Sequence, residues 1–371
     1  MLSLKTDLTR DTSKRSSSCA DAQSITAHRN RCKSINAAPP RDSRYPLTCV
    51  STTATTAASP AANPAHVRRS TLLADYGVLV KPRVSLMVII TAGAGFYLGS
   101  LASGIPPFNL LLLKALFGIA MVTAGSSVLN QALERTSDLR MPRTANRPMA
   151  QHRIGLAHGL LLGFALVVFG SVYLAWVTNP LTGTLTLLTA VGYVAVYTPL
   201  KRVTTLNTFL GAFPGALPPL IGWTAARGLI EWPAVALFAI LFVWQFPHFM
   251  AIGWMYRADY AAGGIRVTAT QQPLHWAARS SVVQALFYAV LMLPASLWPY
   301  WLHIAGWPYA IAATILGIVY LTATVRFASI VRNPEAPANR ALARTLLKTS
   351  VIYLPLLLAA MMLDAHGRLL F

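Results

Sequence analysis

Nine apolar stretches, each roughly 17–25 residues long, recur through the last three quarters of the chain. In chain order they are 84–103, 108–131, 155–177, 181–199, 207–225, 232–256, 280–298, 307–325 and 349–366. Each is long enough to cross the ~30 Å hydrocarbon core of a bilayer. Lipid offers the backbone no hydrogen-bonding partner, so spanning segments of this kind must be helices. The sequence predicts an all-α polytopic membrane protein with nine transmembrane helices around a central cavity.

The composition excludes two broad classes of protein. Only 11% of the residues are charged and 55% are hydrophobic, which leaves too little polar surface for a soluble globular enzyme. The net charge of +20 raises the question of nucleic acid. The basic residues, however, lie between apolar stretches and do not cluster with aromatic residues. We therefore expect a lipid bilayer as the partner and no nucleic acid.

Loop charge predicts how the helices are oriented. Alternate connections carry fifteen Lys and Arg residues, at 132–154, 200–206, 257–279 and 326–348. The remaining connections and the C-terminal end hold only Arg227 and Arg368. Because cytoplasmic loops are enriched in Lys and Arg, the N-terminus is predicted inside and the C-terminus outside. An odd number of helices satisfies every loop at once.

Prolines interrupt several of the apolar stretches. They are Pro214, Pro218 and Pro219 in the fifth, Pro247 in the sixth, Pro294 in the seventh and Pro355 in the ninth. Each removes a backbone donor, so we expect kinked helices, which are compatible with an enclosed cavity.

The first 70 residues differ from the rest of the chain. They are rich in Ser, Thr, Ala and Arg and contain no apolar run, so a disordered basic tail is predicted before a membrane domain at 71–371. Arg and Ser enrichment is typical of an organelle transit peptide, but four aspartates in the first 42 residues count against one. A cytoplasmic extension, or a start codon placed too early, is the favoured interpretation.

The end of the second apolar stretch carries the strongest signal for chemistry. Asn130, Glu134 and Asp138 are four residues apart, a spacing that puts their side chains in one row on a helix. Two carboxylates and an amide so placed repel one another unless a cation lies between them. Hard oxygen ligands of this kind suit Mg²⁺, which completes its shell with water and substrate phosphates.

Two arginines follow this row at the same spacing. Arg143 and Arg147 are fork-shaped donors suited to phosphate oxygens. Carboxylates for a metal followed by arginines for phosphate predict a diphosphate-binding site. The alternative is that both arginines are solvated charges that only set the membrane topology.

Two other helix ends on the same predicted membrane face carry polar and aromatic residues. They are Tyr197, Lys201 and Arg202 after the fourth stretch, and Trp244, His248, Arg257, Asp259 and Tyr260 around the end of the sixth. Asp259 is the only acid between Glu231 and Glu335. A second carboxylate opposite the first row would allow two metal ions to bracket one diphosphate.

His248 falls inside an apolar stretch, where a histidine is costly and faces the bundle interior. One interpretation is a hydrogen bond to a neighbouring helix. The other is a contact with the acceptor substrate, in a pocket that the tryptophan Trp244 helps to wall.

Together these segments resemble the UbiA-type superfamily of membrane-embedded prenyltransferases, and within it most closely the protohaem IX farnesyltransferase family. The resemblance runs through 75–83, 130–148, 197–202, 207, 215–223, 244–260 and 350–364. Its most specific part is the run Trp-Gln-Phe-Pro-His-Phe at 244–249, followed by Asp259 and Tyr260. Prenyltransferases that act on quinone precursors or chlorophyllide carry a further acid four residues after the first, and Gly263 stands there.

The resemblance implies a reaction and its participants. Farnesyl diphosphate and haem B would give haem O and diphosphate with Mg²⁺ present, and a haem A synthase or an oxidase assembly factor would take the product. The implied location is the plasma membrane with the active site on the cytoplasmic side, or alternatively the mitochondrial inner membrane. Thr136 departs from the family pattern, since many relatives carry an acid there.

The resemblance also implies roles for individual residues. The metal ligands and catalytic residues would be Asn130, Glu134, Asp138 and Asp259, the diphosphate would bind Arg143, Arg147, Lys201, Arg202 and Arg257, and the acceptor pocket would include His248, Trp244, Tyr197 and Tyr260.

Two alternatives stay open at this point. One is a prenyltransferase that acts on an aromatic quinone precursor or chlorophyllide. The other is a polytopic transporter, which typically shows broken helices in related pairs and charges at the membrane midplane. The charges here lie mainly at one interface, which favours the enzyme.

Overall fold

The computed structural model describes residues 71–367, and every regular element within that range is a helix. The α-helices are α1 (Leu72–Leu79), α2 (Pro82–Ala102), α3 (Leu110–Asp138), α4 (Leu156–Val177), α5 (Pro180–Val191), α6 (Thr198–Leu200), α7 (Asn207–Ala216), α8 (Pro218–Arg227), α9 (Trp232–Met255), α10 (Arg257–Ala262), α11 (Leu274–Trp301), α12 (Trp307–Phe327) and α13 (Asn339–Gly367). A π-helical turn, Gly192–Tyr197, joins α5 to α6, and 3₁₀ turns lie at Thr268–Thr270 and Ala328–Val331. The predicted all-α membrane fold is confirmed, and the predicted disordered tail at 1–70 lies outside the described residues.

Within the described range, eight helical segments are long and apolar enough to cross a membrane. They are Pro82–Ala102, Leu110–Asp138, Leu156–Val177, Pro180–Leu200, Trp232–Met255, Leu274–Trp301, Trp307–Val331 and Asn339–Ala365. Several continue well past the apolar stretch that predicted them. The second apolar stretch ends near residue 131, whereas α3 runs on to Asp138. Polar residues that end an apolar run do not end a helix, and this extension carries Glu134 and Asp138, in line with Asn130 at the end of the apolar stretch.

The fifth apolar stretch, 207–225, forms two helices. The chain breaks between α7 and α8 at Leu217, directly before Pro218 and Pro219. Neither proline has a backbone N–H, so the hydrogen-bond ladder cannot run through this point. The part of the chain that the structure describes therefore contains eight unbroken spans and one broken pair, where nine helices were expected. Pro247, Pro294 and Pro355 lie inside continuous helices.

Glycines allow α2 and α8 to cross at very short range. A Cβ atom added at Gly222 would lie 1.8 Å from the carbonyl oxygen of Ala92, and one added at Gly95 would lie 1.9 Å from that of Pro219. Backbone atoms cannot move aside as a flexible side chain can. Only glycine therefore fits at either position, and this contact fixes the middle of α2 against α8.

The largest buried cluster lies among α9, α11, α12 and α13, which pack on one another. The tyrosines Tyr309, Tyr320 and Tyr353 are buried there. On the outside, large apolar side chains such as Phe169 and Ile315 are exposed. An exposed apolar surface of this extent is what lipid contact requires.

Candidate functional site

A polar cavity of about 140 Å³ opens where one end of α2, α3, the π-helical turn and α10 meet. Its lining residues are Lys81, Asn130, Glu134, Asp138, Met141, Arg143, Thr144, Arg147, Tyr193, Tyr197, Lys201, Asn207, Tyr260, Ile265 and Val267. We call it the charged cavity, because it gathers four cationic and two anionic side chains. The excess of cations suits the cavity to a negatively charged group.

Helix α3 supplies the row of oxygen ligands that its four-residue spacing predicted. Asn130, Glu134 and Asp138 line the cavity and are 0%, 8% and 0% exposed. Lys201 Nζ donates to Glu134 Oε1 at 2.7 Å, and Arg147 Nη1 donates to both carboxylate oxygens of Asp138 at 2.9 and 2.8 Å. The buried carboxylates are therefore each compensated by a cation, which burial requires.

The two arginines of the loop after α3 are held in different ways. Arg147 bridges the row, since its Nη1 also lies 3.9 Å from Glu134 Oε2. The Arg143 guanidinium stacks over the rings of Tyr256 and Tyr260, at 4.9 and 5.8 Å from their centroids. Stacking fixes the plane of a guanidinium and leaves its N–H groups available to an incoming oxyanion.

Lys81 is a cavity residue to which the sequence analysis gave no role. Its ammonium donates to Asn130 Oδ1, and its backbone is in the left-handed region with φ +48°. Gln131, buried beside Asn130, donates to the carbonyl oxygens of Val78 and Leu79 at 3.2 and 2.8 Å. This clamp holds the turn before α2 in a conformation that costs a non-glycine residue energy.

The charge state of Lys81 is also unusual. Burial, and after it the nearby Arg147 charge, lowers the pKa of the Lys81 ammonium to about 7. The signal for this residue in the sequence was its place directly before Pro82 at a helix start, within a segment that carries the family resemblance.

The π-helical turn brings the fourth cation to the cavity. Lys201 follows the turn, and its ammonium lies 4.3 Å from the centre of the Tyr197 ring. Burial alone would lower the pKa of Lys201, but Tyr197 and Glu134 outweigh it and raise that pKa. Arg202 points elsewhere, donating to Thr136 Oγ1 at 3.1 Å outside the cavity lining.

The short helix α10 places only one of its three predicted site residues at the cavity. Tyr260 is part of the lining, whereas Asp259 and Arg257 are not. Successive residues on a helix point about 100° apart, so turning Tyr260 inward turns Asp259 aside. Arg257 donates to the carbonyl oxygen of Pro334 at 3.2 Å and covers the Trp254 ring.

A smaller cavity of about 50 Å³, lined by both apolar and polar residues, adjoins the charged one. The two share Tyr197, Asn207, Tyr260 and Val267. The smaller cavity continues along α9 past Phe249, Met250, Ile252 and Gly253. We call it the apolar cavity after this α9 wall, where Phe249, Met250 and Ile252 lie next to the charged cavity.

Trp244 and His248 lie on another face of α9 and line neither cavity. Their rings stack with centroids 4.9 Å apart. Both contact Ser350 of α13, through Trp244 Nε1 to its carbonyl oxygen at 2.8 Å and His248 Nδ1 to its hydroxyl at 2.7 Å. The hydrogen bond to a neighbouring helix, one of the two interpretations of His248, is thus present.

The donor set of the charged cavity fits Mg²⁺. No cluster of three His, Cys, Asp or Glu side chains that could hold a metal ion occurs in the described residues. Mg²⁺, however, is usually held by one or two carboxylates and completes its octahedron with water and substrate phosphates. Glu134, Asp138 and the Asn130 oxygen supply that smaller set.

Comparison with known proteins agrees with this geometry. The UbiA prenyltransferase family model matches residues 87–350. The protoheme IX farnesyltransferase of Koribacter versatilis is 44% identical over 295 residues, covering 80% of this chain and 94% of that protein. The Solibacter usitatus protein of the same name is 38% identical and covers 79% and 99%.

Two solved structures share the fold. A structure of digeranylgeranylglyceryl phosphate synthase superposes with a TM-score of 0.64 at 20% identity, covering 79% of this chain and 98% of that one. A UbiA homologue from Archaeoglobus fulgidus bound to GPP and Mg²⁺ gives a TM-score of 0.51 at 14% identity, covering 77% and 99%. The family model and the relatives show that this chain belongs to the UbiA prenyltransferase family and, within it, to the protoheme IX farnesyltransferases.

Proposed function

We propose that this protein transfers the farnesyl group of farnesyl diphosphate to a vinyl group of haem B, giving haem O and diphosphate. The observation that carries the proposal is the charged cavity, where Lys81, Arg143, Arg147 and Lys201 surround two carboxylates beside an apolar space. The names of the relatives support farnesyl diphosphate as the donor and haem B as the acceptor.

The cations of the cavity hold the diphosphate and stabilise it as it leaves. The allylic carbon–oxygen bond breaks, and the bonding electron pair departs with the diphosphate. Negative charge therefore grows on the phosphate oxygens, where fixed cationic donors in a site with little water lower the barrier most. Among the described residues Arg143 contacts only the faces of two tyrosine rings, so its N–H groups can reach the phosphate, and Arg147 and Lys201 exchange their carboxylate partners for phosphate oxygens.

Asn130, Glu134 and Asp138 would hold Mg²⁺ in this proposal. When bound, Mg²⁺ neutralises charge on the diphosphate as a Lewis acid. The solved Archaeoglobus fulgidus homologue with GPP and Mg²⁺ supports a divalent ion in this fold. Asp259 stays a proposed ligand at the loop that carries Tyr260.

The apolar cavity receives the start of the farnesyl chain and keeps water from the allylic cation. The vinyl group of haem B attacks that cation with its π electrons, and a new carbon–carbon bond forms. Positive charge then rests on the carbon next to the porphyrin ring. Water adds there and loses a proton, which leaves a hydroxyl group.

His248 and Trp244 are proposed as the haem-facing surface of α9. Their stacked rings form a flat aromatic face, and Ser350 fixes the orientation of His248. His248→Ala is expected to raise the KM for haem B several-fold, with little effect on the KM for farnesyl diphosphate. The reverse ranking of the two KM values would remove His248 from the acceptor pocket.

The protein is an integral membrane protein, and we propose a bacterial plasma membrane with the charged cavity on the cytoplasmic side. The connections 132–154, 200–206 and 257–279 hold ten of the fifteen Lys and Arg residues that predict the cytoplasmic face, and each of them contributes lining residues to the cavity.

A product assay tests the proposed function directly. Membranes that contain the protein receive haem B, farnesyl diphosphate and Mg²⁺, and the extracted haems are separated by mass. A haem heavier by one hydroxyfarnesyl group, absent after chelation, is expected. No new haem, together with farnesyl transfer to an added phenolic acid, would keep the diphosphate site and overturn the acceptor.

A further inference from the structure

Asn130 can serve as an oxygen ligand in only one of its two amide orientations. Its side chain ends in an acceptor oxygen and a donor NH₂ group, and a half-turn of the amide exchanges them. The residue is completely buried, so water cannot correct a wrong orientation. Something in the protein must therefore decide which end faces the charged cavity.

Hydrogen-bond direction fixes the choice, starting from the π-helical turn. The carbonyl oxygen of Tyr193 can only accept, and the Thr198 hydroxyl donates its single proton to it at 2.8 Å. Thr198 Oγ1 then faces Asn130 as an acceptor. It receives a hydrogen bond from Asn130 Nδ2 at 3.0 Å.

The opposite end of the amide must then be the oxygen. It points toward the charged cavity, where the Lys81 ammonium donates to Asn130 Oδ1. An ammonium has no acceptor, so a reversed amide would place two donors against each other. Thr198 is itself buried and does not line the cavity, so it acts only through Asn130.

We propose that Thr198 is a positioning residue that keeps the Asn130 oxygen turned toward the metal and diphosphate. The inference rests on the proposed function, in which Asn130 is a metal ligand. It assigns the π-helical turn a role, because that turn brings the Tyr193 carbonyl to the Thr198 hydroxyl.

The test measures metal binding without turnover. Purified full-length protein in detergent is mixed with farnesyl thiodiphosphate, a slowly reacting analogue, and titrated with Mn²⁺ followed by electron paramagnetic resonance. Thr198→Val removes the hydroxyl at nearly constant volume and is expected to weaken Mn²⁺ binding about tenfold, as loss of an outer-shell partner typically does. Thr198→Ser keeps the hydroxyl and is expected to restore the affinity.

The matched control is Thr186→Val. Thr186 is a buried threonine on α5 whose hydroxyl donates to the carbonyl oxygen of Thr182 at 2.7 Å, away from both cavities. The Thr186→Val variant measures the general effect of replacing a buried threonine by valine in this span. Its Mn²⁺ affinity is expected to equal that of the wild type. Thermal unfolding of each variant shows that the protein is folded.

A second set of variants, made in an Asn130→Asp background, distinguishes a positioning role of Thr198 from a purely structural one. In Asn130→Asp both ends of the side chain are oxygens, so orientation no longer matters, and adding Thr198→Val is expected to cause no further loss. The same loss in both backgrounds would overturn the proposal, as would normal Mn²⁺ binding by Thr198→Val. If Asn130→Ala binds Mn²⁺ normally, the metal role of Asn130 fails and the inference fails with it. If Asn130→Ala weakens binding and Thr198→Val does not, only the inference fails.

Discussion

The residues of the charged cavity differ in how well the sequence predicted them. Asn130, Glu134 and Asp138 could be predicted because helical spacing alone puts them in one row. Lys81 could not, because a lysine before a transmembrane helix is normally a topology charge. Only the left-handed turn that Gln131 clamps sends its ammonium into the cavity.

Removing the ammonium of Lys81 tests that residue's share in diphosphate binding. Lys81→Met is expected to raise the KM for farnesyl diphosphate by about 10- to 100-fold, the range for loss of a charged hydrogen bond. Steady-state kinetics in membranes measure it. The control is Lys114→Met, which removes an exposed lysine of α3. An equal KM for the two variants would contradict a role for Lys81 in the site.

Asp138 tests the carboxylate row. Asp138→Asn keeps the shape of the side chain but removes the charge that faces Arg147, and turnover is expected to fall roughly 100-fold or more. The haem product assay measures turnover, and immunoblotting of membranes measures insertion. The control is Glu335→Gln, at an exposed acid on the loop before α13. Normal turnover of Asp138→Asn would rule out a metal or diphosphate role.

At the level of helices, the sequence predicted the positions of the membrane-spanning segments better than the breaks within them. Apolar length located the spans because lipid requires it. It could not show that 207–225 breaks at Leu217, since Pro247 and Pro355 lie in helices that continue. Whether a proline ends or merely interrupts a helix depends on the packing around it.

The close crossing of α2 and α8 is a testable feature of this scale. Gly222→Ala would put a methyl group against the Ala92 carbonyl and is expected to destabilise the protein by roughly 2 kcal/mol or more. Thermal unfolding in detergent measures the loss. The control is Gly77→Ala in α1, where an added Cβ meets nothing within 4 Å and the stability should hold or rise. Similar unfolding temperatures for the two variants would contradict the tight crossing.

At the scale of the whole molecule, the predicted polar clusters lie together at one end of the helix bundle. This follows from the number of times that the chain crosses the membrane between them. Loop charge alone predicts that the helix ends after the second, fourth and sixth apolar stretches lie on the same face of the membrane. The structure brings side chains from all three into the charged cavity. The number of membrane crossings cannot predict whether Asp259 or Tyr260 faces the cavity, because that depends on the rotation of α10 about its axis.

The predicted orientation can be tested by cysteine labelling, because residues 71–371 contain no cysteine. All three cysteines, Cys19, Cys32 and Cys49, lie in the tail, so replacing them by serine leaves a thiol-free protein. Glu335→Cys is then expected to react with a membrane-impermeant maleimide only after the membrane is opened. The matched variant Leu229→Cys, at an exposed position between α8 and α9, should react in intact cells. The opposite pattern would invert the topology.

The charge of the cavity also has a pharmacological consequence. Four cationic side chains against two carboxylates call for an inhibitor that carries phosphate-like negative charge. Charged groups enter hydrocarbon at high cost, so such a compound is excluded by the same bilayer that holds the protein. We therefore expect compounds optimised on purified protein to fail on intact cells unless their acids are masked as esters that are cleaved inside.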